Sequence, residues 1–312
     1  MLDRRVQFIQ WLMRRMGRTF RPGESVANVR AGYRELNRRF GFRPVRDVDL
    51  TTIEIPVDGA SIAGRLIRPR AARSATLPVL LYFHGGGWVI GDAESYDHLT
   101  RYFAHEGRIA VLSVEYRKGP EHPIPVPFDD GIAAYAWLTS HAATLGLDPA
   151  RIAVGGDSAG GTIAAAISAF AAERGLPKPA FQLLIYPPVD GTLRFPSRSA
   201  YRKGDMIVPA MREWFARYAL TRPEDLRHPY LTLIDKANPQ ENPPTYFLAA
   251  GYDALVDEGR AYAERLRAAG VDVTYDVRES LPHGFVNIAR VTPEARRAVK
   301  TAIDATARAL RS

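Results

Sequence analysis

The stretch from residue 151 to residue 174, RIAVGGDSAGGTIAAAISAFAAER, changes its pattern half-way along. Ile152–Val154 is a short apolar run typical of a buried strand, whereas Ala159–Arg174 is rich in alanine and typical of a helix. Small residues fill the turn between them, Gly156-Asp157-Ser158-Ala159-Gly160. A sharp turn from a buried strand directly into a helix favours an α/β fold.

Units of the same kind lie on both sides of this stretch. Strands are predicted at Thr52–Val57, Ile62–Ile67, Val79–Phe83, Ile109–Val114, Phe181–Tyr186, Thr245–Ala249 and Val271–Val277, and helices at Ile132–Leu145, Asp257–Ala269 and Thr292–Leu310. Such alternation predicts a mostly parallel central sheet with helices on both faces. Residues 190–240 interrupt it with one helical patch around Met211–Tyr218, so this segment is predicted to be an insertion over one end of the sheet.

Residues 1–46 have a different pattern, with apolar residues at the spacing of two amphipathic helices separated by Pro22-Gly23. We predict that these helices pack on the main body with their arginines facing solvent. Contact between the basic face and anionic lipid is the alternative. The apolar stripes are Val6, Ile9, Met13, Met16 and Phe20, then Val26, Val29, Tyr33, Leu36 and Phe40; the arginines off the stripes are Arg14, Arg15, Arg18, Arg30, Arg34 and Arg38.

The composition of the 312 residues is that of a globular protein, with 46% hydrophobic and 24% charged residues. The formal net charge is +8, but residues 1–46 alone hold 12 arginines and three acidic residues. The remaining chain is therefore close to neutral, and the charge does not indicate a nucleic-acid partner. The absence of cysteine excludes disulfides, cysteine nucleophiles and cysteine-ligated metals.

The sequence contains no apolar run long enough to span a membrane. The apolar stretch Val6–Met13 is interrupted by two glutamines and has no small-residue cleavage site after it, so we predict a cytoplasmic protein. Neither a Walker A sequence nor an H-E-x-x-H motif is present, and we predict no cofactor and no metal. Gly85-x-Gly87-x-x-x-Gly91 resembles a dinucleotide fingerprint only weakly, because Ile90 stands where the third glycine belongs.

Ser158 is the candidate nucleophile, because a sharp strand-to-helix turn exposes a serine hydroxyl at the carboxyl end of the sheet. A serine needs a neighbouring base to become a good nucleophile. Two histidines follow Ser158 in the chain. His283 lies in a loop after a predicted strand, where catalytic groups collect, whereas His228 lies within the insertion. His283 is therefore the predicted base.

Asp253 is the predicted partner of this histidine. It directly follows the predicted strand Thr245–Ala249, and so reaches the same end of the sheet as Ser158. Asp257 and Glu258 are assigned instead to the first turn of the next helix, where negative charge is favourable.

The segment His84-Gly85-Gly86-Gly87-Trp88 follows the predicted strand Val79–Phe83. Successive glycines let backbone N–H groups turn inward without a Cβ atom obstructing a substrate. Such N–H groups stabilise the oxyanion of an acyl-transfer reaction. The backbone N–H of Ala159 is predicted to be a further donor. Because His84 and Gly85 precede the donors, they are predicted to orient the loop.

Together these motifs resemble the hormone-sensitive-lipase-like family of bacterial carboxylesterases, the GDSAG branch of the α/β-hydrolase fold. The resemblance rests on His84–Gly87, Gly156–Gly160, Asp253–Glu258 and His283-Gly284-Phe285, with support from Tyr116–Glu121. It extends over residues 52–312. Ala254 and Gly119 depart from the usual residues, outside the chemistry.

The resemblance implies a nucleophile at Ser158, a base at His283, an orienting acid at Asp253 and oxyanion donors at Gly86, Gly87 and Ala159. It also implies a catalytic domain in two parts, 47–189 and 236–312, with a cap formed by 1–46 and 190–235. It further implies a small-molecule ester substrate, no cofactor, and a homodimer through the last strand and helix. The alternatives are an amidase or peptidase with the same triad and a non-catalytic receptor on the same fold.

Overall fold

An eight-stranded sheet forms the centre of the computed structural model, which describes residues 1–15, 20–21, 23–72, 76–200, 205–236 and 238–311. The strand order is β1-β2-β4-β3-β5-β6-β7-β8. Strand β2 runs antiparallel to both of its neighbours, β1 and β4. Strands β3 to β8 run parallel to one another. The strands are β1 (Val48–Val57), β2 (Ala60–Pro69), β3 (Leu77–Phe83), β4 (Ala110–Val114), β5 (Leu147–Asp157), β6 (Phe181–Ile185), β7 (Thr245–Tyr252) and β8 (Val273–Pro282).

Helices cover both faces of this sheet, as predicted. Hydrophobic residues of α4, α5 and α8 form one core cluster with alternate residues of β3. Those of α3 and α9 form a second core cluster on the other face, with the remaining hydrophobic residues of β3. The α-helices are α1 (Arg4–Arg15), α2 (Val26–Phe40), α3 (Asp97–Gly107), α4 (Val126–His141), α5 (Ala159–Phe170), α6 (Pro196–Ser199), α7 (Pro209–Ala219), α8 (Val256–Ala268) and α9 (Pro293–Ala309).

Several boundaries differ from the predicted ones, and one helix was not predicted. The strand predicted at Ile152–Val154 lies within the longer β5, in which residues 148–151 are exposed or partly exposed and form no apolar run. Helix α4 begins at Val126 rather than at Ile132. Helix α3 has no counterpart among the predicted helices, although its Leu99 and Phe103 are buried.

The two N-terminal helices pack on the main body through the predicted stripes. Val6 and Ile9 are buried, and Tyr33 and Leu36 pack against the second core cluster. Phe20 lies beyond the end of α1, and Met16, Arg18 and Pro22 fall outside the described residues.

The prediction that the arginines face solvent is wrong for Arg30. Its guanidinium is partly buried, donates to the carbonyl oxygens of Val89 and Gly119, and forms an ion pair with Glu121 at 2.7 Å. This side chain fastens α2 to the main body, because two buried carbonyl groups need donors there.

The segment that interrupts the alternation lies against the N-terminal helices. Trp214 of α7 donates from Nε1 to the carbonyl oxygen of Glu24 over 3.0 Å, and its ring packs edge-on against Phe20. Parts of the chain 190 residues apart thus form one layer. In the described part of the chain, no helix is long and apolar enough to cross a membrane.

Candidate active site

Ser158 lies on a strained turn between β5 and α5. Its φ and ψ angles are 50° and −124°, a combination that costs an L-residue free energy and persists only where the surrounding fold enforces it. The turn is tight: a Cβ atom on Gly160 would lie 2.0 Å from the carbonyl oxygen of Phe83. Only glycine lets α5 approach β3 this closely, and the close approach holds Ser158 at the carboxyl end of the sheet.

Ser158, His283 and Asp253 form a continuous chain of hydrogen bonds. His283 Nε2 lies 2.8 Å from Ser158 Oγ, and His283 Nδ1 lies 2.7 Å from Asp253 Oδ2. A carboxylate only accepts, so Nδ1 carries the proton of the neutral ring and Nε2 is left to accept from the serine hydroxyl. This arrangement prepares the hydroxyl to lose its proton to Nε2.

Asp253, and neither of the two acidic residues that follow it, reaches His283. Its carboxylate is buried at the end of β7 and also accepts from the backbone N–H of Leu255 over 3.1 Å. Asp257 accepts from the backbone N–H of Ser197, and Glu258 is buried against Arg198 at 2.6 Å. The two thus connect the start of α8 to α6, whereas the sequence predicts for them only a favourable charge in the first turn of α8.

The glycine loop after β3 opens onto the same cavity as Ser158. Gly86 has a φ of +123° and accepts at its carbonyl from the N–H of Ile90 over 2.9 Å. Gly86 and Gly87 both line the cavity. Within the described residues, the N–H groups of Gly86, Gly87 and Ala159 have no protein acceptor, so they are available to a ligand.

His84 lies beneath this loop and is fully buried. Its Nδ1 lies 2.8 Å from the carbonyl oxygen of Gly85, and its ring stacks on Tyr116 at a centroid distance of 4.3 Å. The hydroxyl of Tyr116 donates to the carbonyl oxygen of His84 over 2.7 Å. Burial lowers the pKa of His84 to about 4, so the ring is neutral at pH 7. These contacts are of the kind expected for a residue that orients the loop.

Asp157 is a functional candidate that the sequence reasoning missed, although it lies within the quoted motif. Its carboxylate is buried and accepts from the N–H of Gly85 and from the hydroxyls of Tyr82 and Tyr96, each over 2.9 Å. Burial raises its pKa to about 6. Asp157 therefore ties the residue before Ser158 to the start of the glycine loop.

Helix α2 extends this network to the N-terminal layer. The hydroxyl of Tyr33 lies 2.7 Å from that of Tyr96 and accepts from Asn287 Nδ2 over 2.8 Å. One residue further along α2, Arg34 forms an ion pair with Asp92 at 2.6 Å. The segment that begins with the glycine loop is therefore held by α2 at several points.

A cavity of about 680 Å³ lies above Ser158 and His283. Its floor includes the glycine loop, and its walls come from α2, from α7 and from the segment that precedes α7. Most lining side chains are apolar, among them Leu36, Met206, Met211, Phe215 and Ile288. Among the described residues, no group of three or more His, Asp and Glu side chains is arranged to hold a metal ion.

The sheet order, the strained serine and the chain of hydrogen bonds together define an α/β hydrolase. The sequence model of the alpha/beta hydrolase fold family matches residues 80–287. The chain belongs to this family, so the predicted fold and the predicted hormone-sensitive-lipase-like relationship are confirmed.

Named relatives extend over nearly the whole chain. The chain is 36% identical to the carboxylesterase NlhH of Mycobacterium tuberculosis over 297 residues, which cover 94% of this chain and 92% of that protein. It is also 36% identical to an ethyl acetate hydrolase of Pseudomonas putida, over 80% of this chain and 78% of that protein. An ester hydrolase from the metagenome of Lake Arreo, solved with a derivative of bipyridine phosphonate, superposes with a TM-score of 0.95 at 35% identity and full coverage of both chains.

Proposed function

We propose that this chain is a serine carboxylesterase that hydrolyses short- to medium-chain carboxylic esters through Ser158, His283 and Asp253. The observation that carries the proposal is the pair of hydrogen bonds of 2.8 Å and 2.7 Å that joins the three side chains. The class of enzyme, a carboxylic ester hydrolase, is supported independently by relatives 36% identical over most of the chain that are named for this activity.

In the first half of the reaction, Ser158 Oγ attacks the ester carbonyl while His283 Nε2 takes its proton. Asp253 stabilises the imidazolium that results, because it accepts the hydrogen bond from Nδ1. The N–H groups of Gly86, Gly87 and Ala159 bind the oxyanion of the tetrahedral intermediate. Collapse of this intermediate expels the alkoxide, which receives the proton from Nε2 and leaves as the alcohol.

In the second half, water attacks the acyl-enzyme. His283 Nε2 takes a proton from the water, and a second tetrahedral intermediate forms in the same oxyanion site. Its collapse returns the proton to Ser158 Oγ and releases the carboxylic acid. No external oxidant, reductant or metal is required for either half.

The cavity supports a substrate of small to medium size, because a volume of about 680 Å³ is typical of small-molecule sites and its walls are mostly apolar. We further propose that residues 1–46 and 190–235 form a cap over this cavity, on a catalytic domain of 47–189 and 236–312. A cytoplasmic location and a homodimer through β8 and α9 remain proposals; β8 is an edge strand of the sheet, which leaves its outer side unpaired within the described chain.

The test is a panel of 4-nitrophenyl esters from acetate to palmitate, with wild type and Ser158→Ala. We expect turnover of the shorter esters and its loss in the variant, and labelling of wild type alone by an organophosphonate. Hydrolysis that persists in Ser158→Ala would contradict the proposed nucleophile. Turnover of amides in preference to matched esters would favour the amidase alternative.

A further inference from the structure

One cation on the wall of the active-site cavity, Arg212, forms no ion pair in the part of the chain that the structure describes. Arg212 lies on α7, lines the cavity and is partly exposed to it. Its Nη1 donates to the carbonyl oxygen of Arg198 over 2.6 Å. This bond occupies one of the five N–H donors of the guanidinium, and its acceptor is a neutral carbonyl group.

None of the other charged groups on the described wall forms an ion pair with Arg212. Arg198 is paired with the buried Glu258 at 2.6 Å and adds positive charge beside it. Burial, and then the charge of Arg198, lower the pKa of Arg212. The carboxylates of Asp205, Asp253 and Glu213 counteract this lowering of the pKa, although none of them forms an ion pair with Arg212 within the described residues. Three carboxylates of the wall have partners of their own: Asp157 with Tyr96, Asp190 with Arg194, and Asp253 with His283.

A cation that forms no ion pair, on the wall of a mostly apolar cavity, is typical of a group that orients a ligand. Water solvates it less well than it would on the surface, so an anion brought into the cavity gains more from it. The flat fork of N–H donors in a guanidinium matches the two oxygens of a carboxylate.

We propose that Arg212 binds a carboxylate carried by the substrate, so that the preferred esters bear an ionised carboxyl group a few carbons from the scissile bond. Two classes have this chemistry: half-esters of dicarboxylic acids, with the charge on the acyl side, and acylated hydroxy acids, with the charge on the alcohol side. The inference rests on the proposed esterase function and specifies its substrate.

The test compares charged esters with neutral esters of the same shape. Mono-4-nitrophenyl esters of the dicarboxylic acids from adipate to suberate are paired with alkanoates in which an isopropyl group replaces the carboxylate. Butanoyl esters of ω-hydroxy acids, paired in the same way, probe the alcohol side. We expect the best charged ester to have a kcat/KM at least equal to that of its neutral partner. An apolar cavity without a counterion would strongly disfavour the charged ester.

The variant Arg212→Met should lower the charged-to-neutral ratio of kcat/KM by about 10- to 100-fold, the range for a lost hydrogen bond to a charged group. Arg212→Lys should retain most of the ratio, and Arg217→Met, an exposed arginine of the same helix, should leave it unchanged. Turnover of the neutral esters shows in each case that the variant is folded.

Two results have different meanings and are easily separated. If wild type hydrolyses neutral esters but rejects every charged one, or if Arg212→Met leaves the ratio unchanged for all pairs, the inference is overturned while the esterase function stands. If wild type hydrolyses neither kind of ester, the proposed function itself fails.

Discussion

The hydroxyl of Tyr33, on an N-terminal helix, lies 2.7 Å from the hydroxyl of Tyr96, which donates to Asp157 next to the candidate nucleophile. The directions of the bonds are fixed. Asp157 only accepts, so Tyr96 donates to it and accepts in turn from Tyr33, which accepts from Asn287. Helix α2, which contributes to the cavity wall, is thus connected to the residue that holds the glycine loop.

Tyr33→Phe is expected to lower kcat by about fivefold with a small change in KM. It removes the hydrogen bond that Tyr33 donates to Tyr96; a buried hydrogen bond contributes about 1 kcal/mol, and this one acts on the position of the oxyanion donors. Steady-state kinetics with 4-nitrophenyl butyrate measures both constants. The control is Tyr135→Phe, which removes a hydroxyl bonded to the carbonyl of Pro177 away from the cavity. Equal losses of kcat in both variants would indicate a general effect on stability.

Ser158→Ala, His283→Ala and Asp253→Asn are each expected to lower kcat by about 10⁴- to 10⁶-fold with the fold intact. The double variant of Ser158 and His283 should be no worse than either single one, because both belong to one chemical unit. Asp257→Asn is the matched control, since this carboxylate accepts from Ser197 instead. If Asp257→Asn were the inactive variant, the proposed acid would be wrong.

Gly86→Ala is expected to lower kcat by about 10²- to 10³-fold, the loss found when one oxyanion donor is removed. A Cβ atom at this position would lie 2.2 Å from the carbonyl oxygen of Ile90, so the loop must move. KM should change less, because the oxyanion exists mainly in the transition state. Gly32→Ala on α2 has open space around it and should retain full activity; a change confined to KM in Gly86→Ala would assign this glycine to substrate binding.

Stability is expected to fall as the pH decreases from about 6.5 towards 4. Burial lowers the pKa of His98 to about 4, and its Nδ1 accepts from the N–H of Phe42 over 3.1 Å. The unfolded chain, with a histidine pKa of about 6.5, binds more protons in this range than the folded chain does. The free energy of unfolding therefore decreases as the pH falls.

Urea unfolding at pH 7 and pH 5 measures this effect. His98→Gln should reduce the slope by up to about 1.4 kcal/mol per pH unit, because the residue no longer titrates. His141→Gln removes an exposed histidine and should leave the slope unchanged. A slope unaffected by His98→Gln would show that other groups carry the acid sensitivity.

Deletion of residues 1–40 is expected to cause aggregation or to reduce the preference for longer acyl chains. The deletion uncovers the surface beneath Val6 and Ile9 and removes Tyr33 and Leu36 from the cavity wall. The ratio of octanoate to acetate turnover measures the second effect.

A lipid-binding role for these helices predicts a different result. The exposed Phe8 and Trp11 stack at a centroid distance of 5.8 Å on the outer face of α1, and exposed aromatic side chains of this kind insert into a membrane surface. Replacing both with serine should leave ester turnover and sedimentation with anionic vesicles unchanged. Loss of vesicle binding in this variant would establish the lipid contact.

The sequence was sufficient to predict the elements that lie within the sheet, because buried parallel strands such as β3 and β6 are continuous apolar runs. It was also sufficient to place Ser158, Asp253 and His283 at one end of the sheet, since each directly follows a predicted strand. Helix α3 was missed because polar residues interrupt its apolar face, and its burial comes from contacts with α9, β2 and β4.

Side-chain partners distant in the chain could not be predicted in this way. An arginine on an amphipathic helix normally faces water, and no local pattern distinguishes Arg30, whose acceptors are carbonyl groups of loops 59 and 89 residues away. The same holds for Asp157, whose tyrosine donors come from 75 and 61 residues earlier in the chain. Periodicity describes which face of an element is buried, not which polar atom it meets.

The contact between Trp214 and Glu24 has a consequence for the order in which the protein is made. Helices α1 and α2 are synthesised before α7. Trp214 of α7 is translated 190 residues after Glu24, the residue that it contacts. At about 5–20 residues per second, this interval lasts roughly 10–40 s. During that time the connection between the two helices, at Phe20 and Glu24, lacks the cover that Trp214 provides. The enclosed cavity is therefore among the last features of the nascent chain to form, and the N-terminal helices are where a chaperone has the longest opportunity to bind.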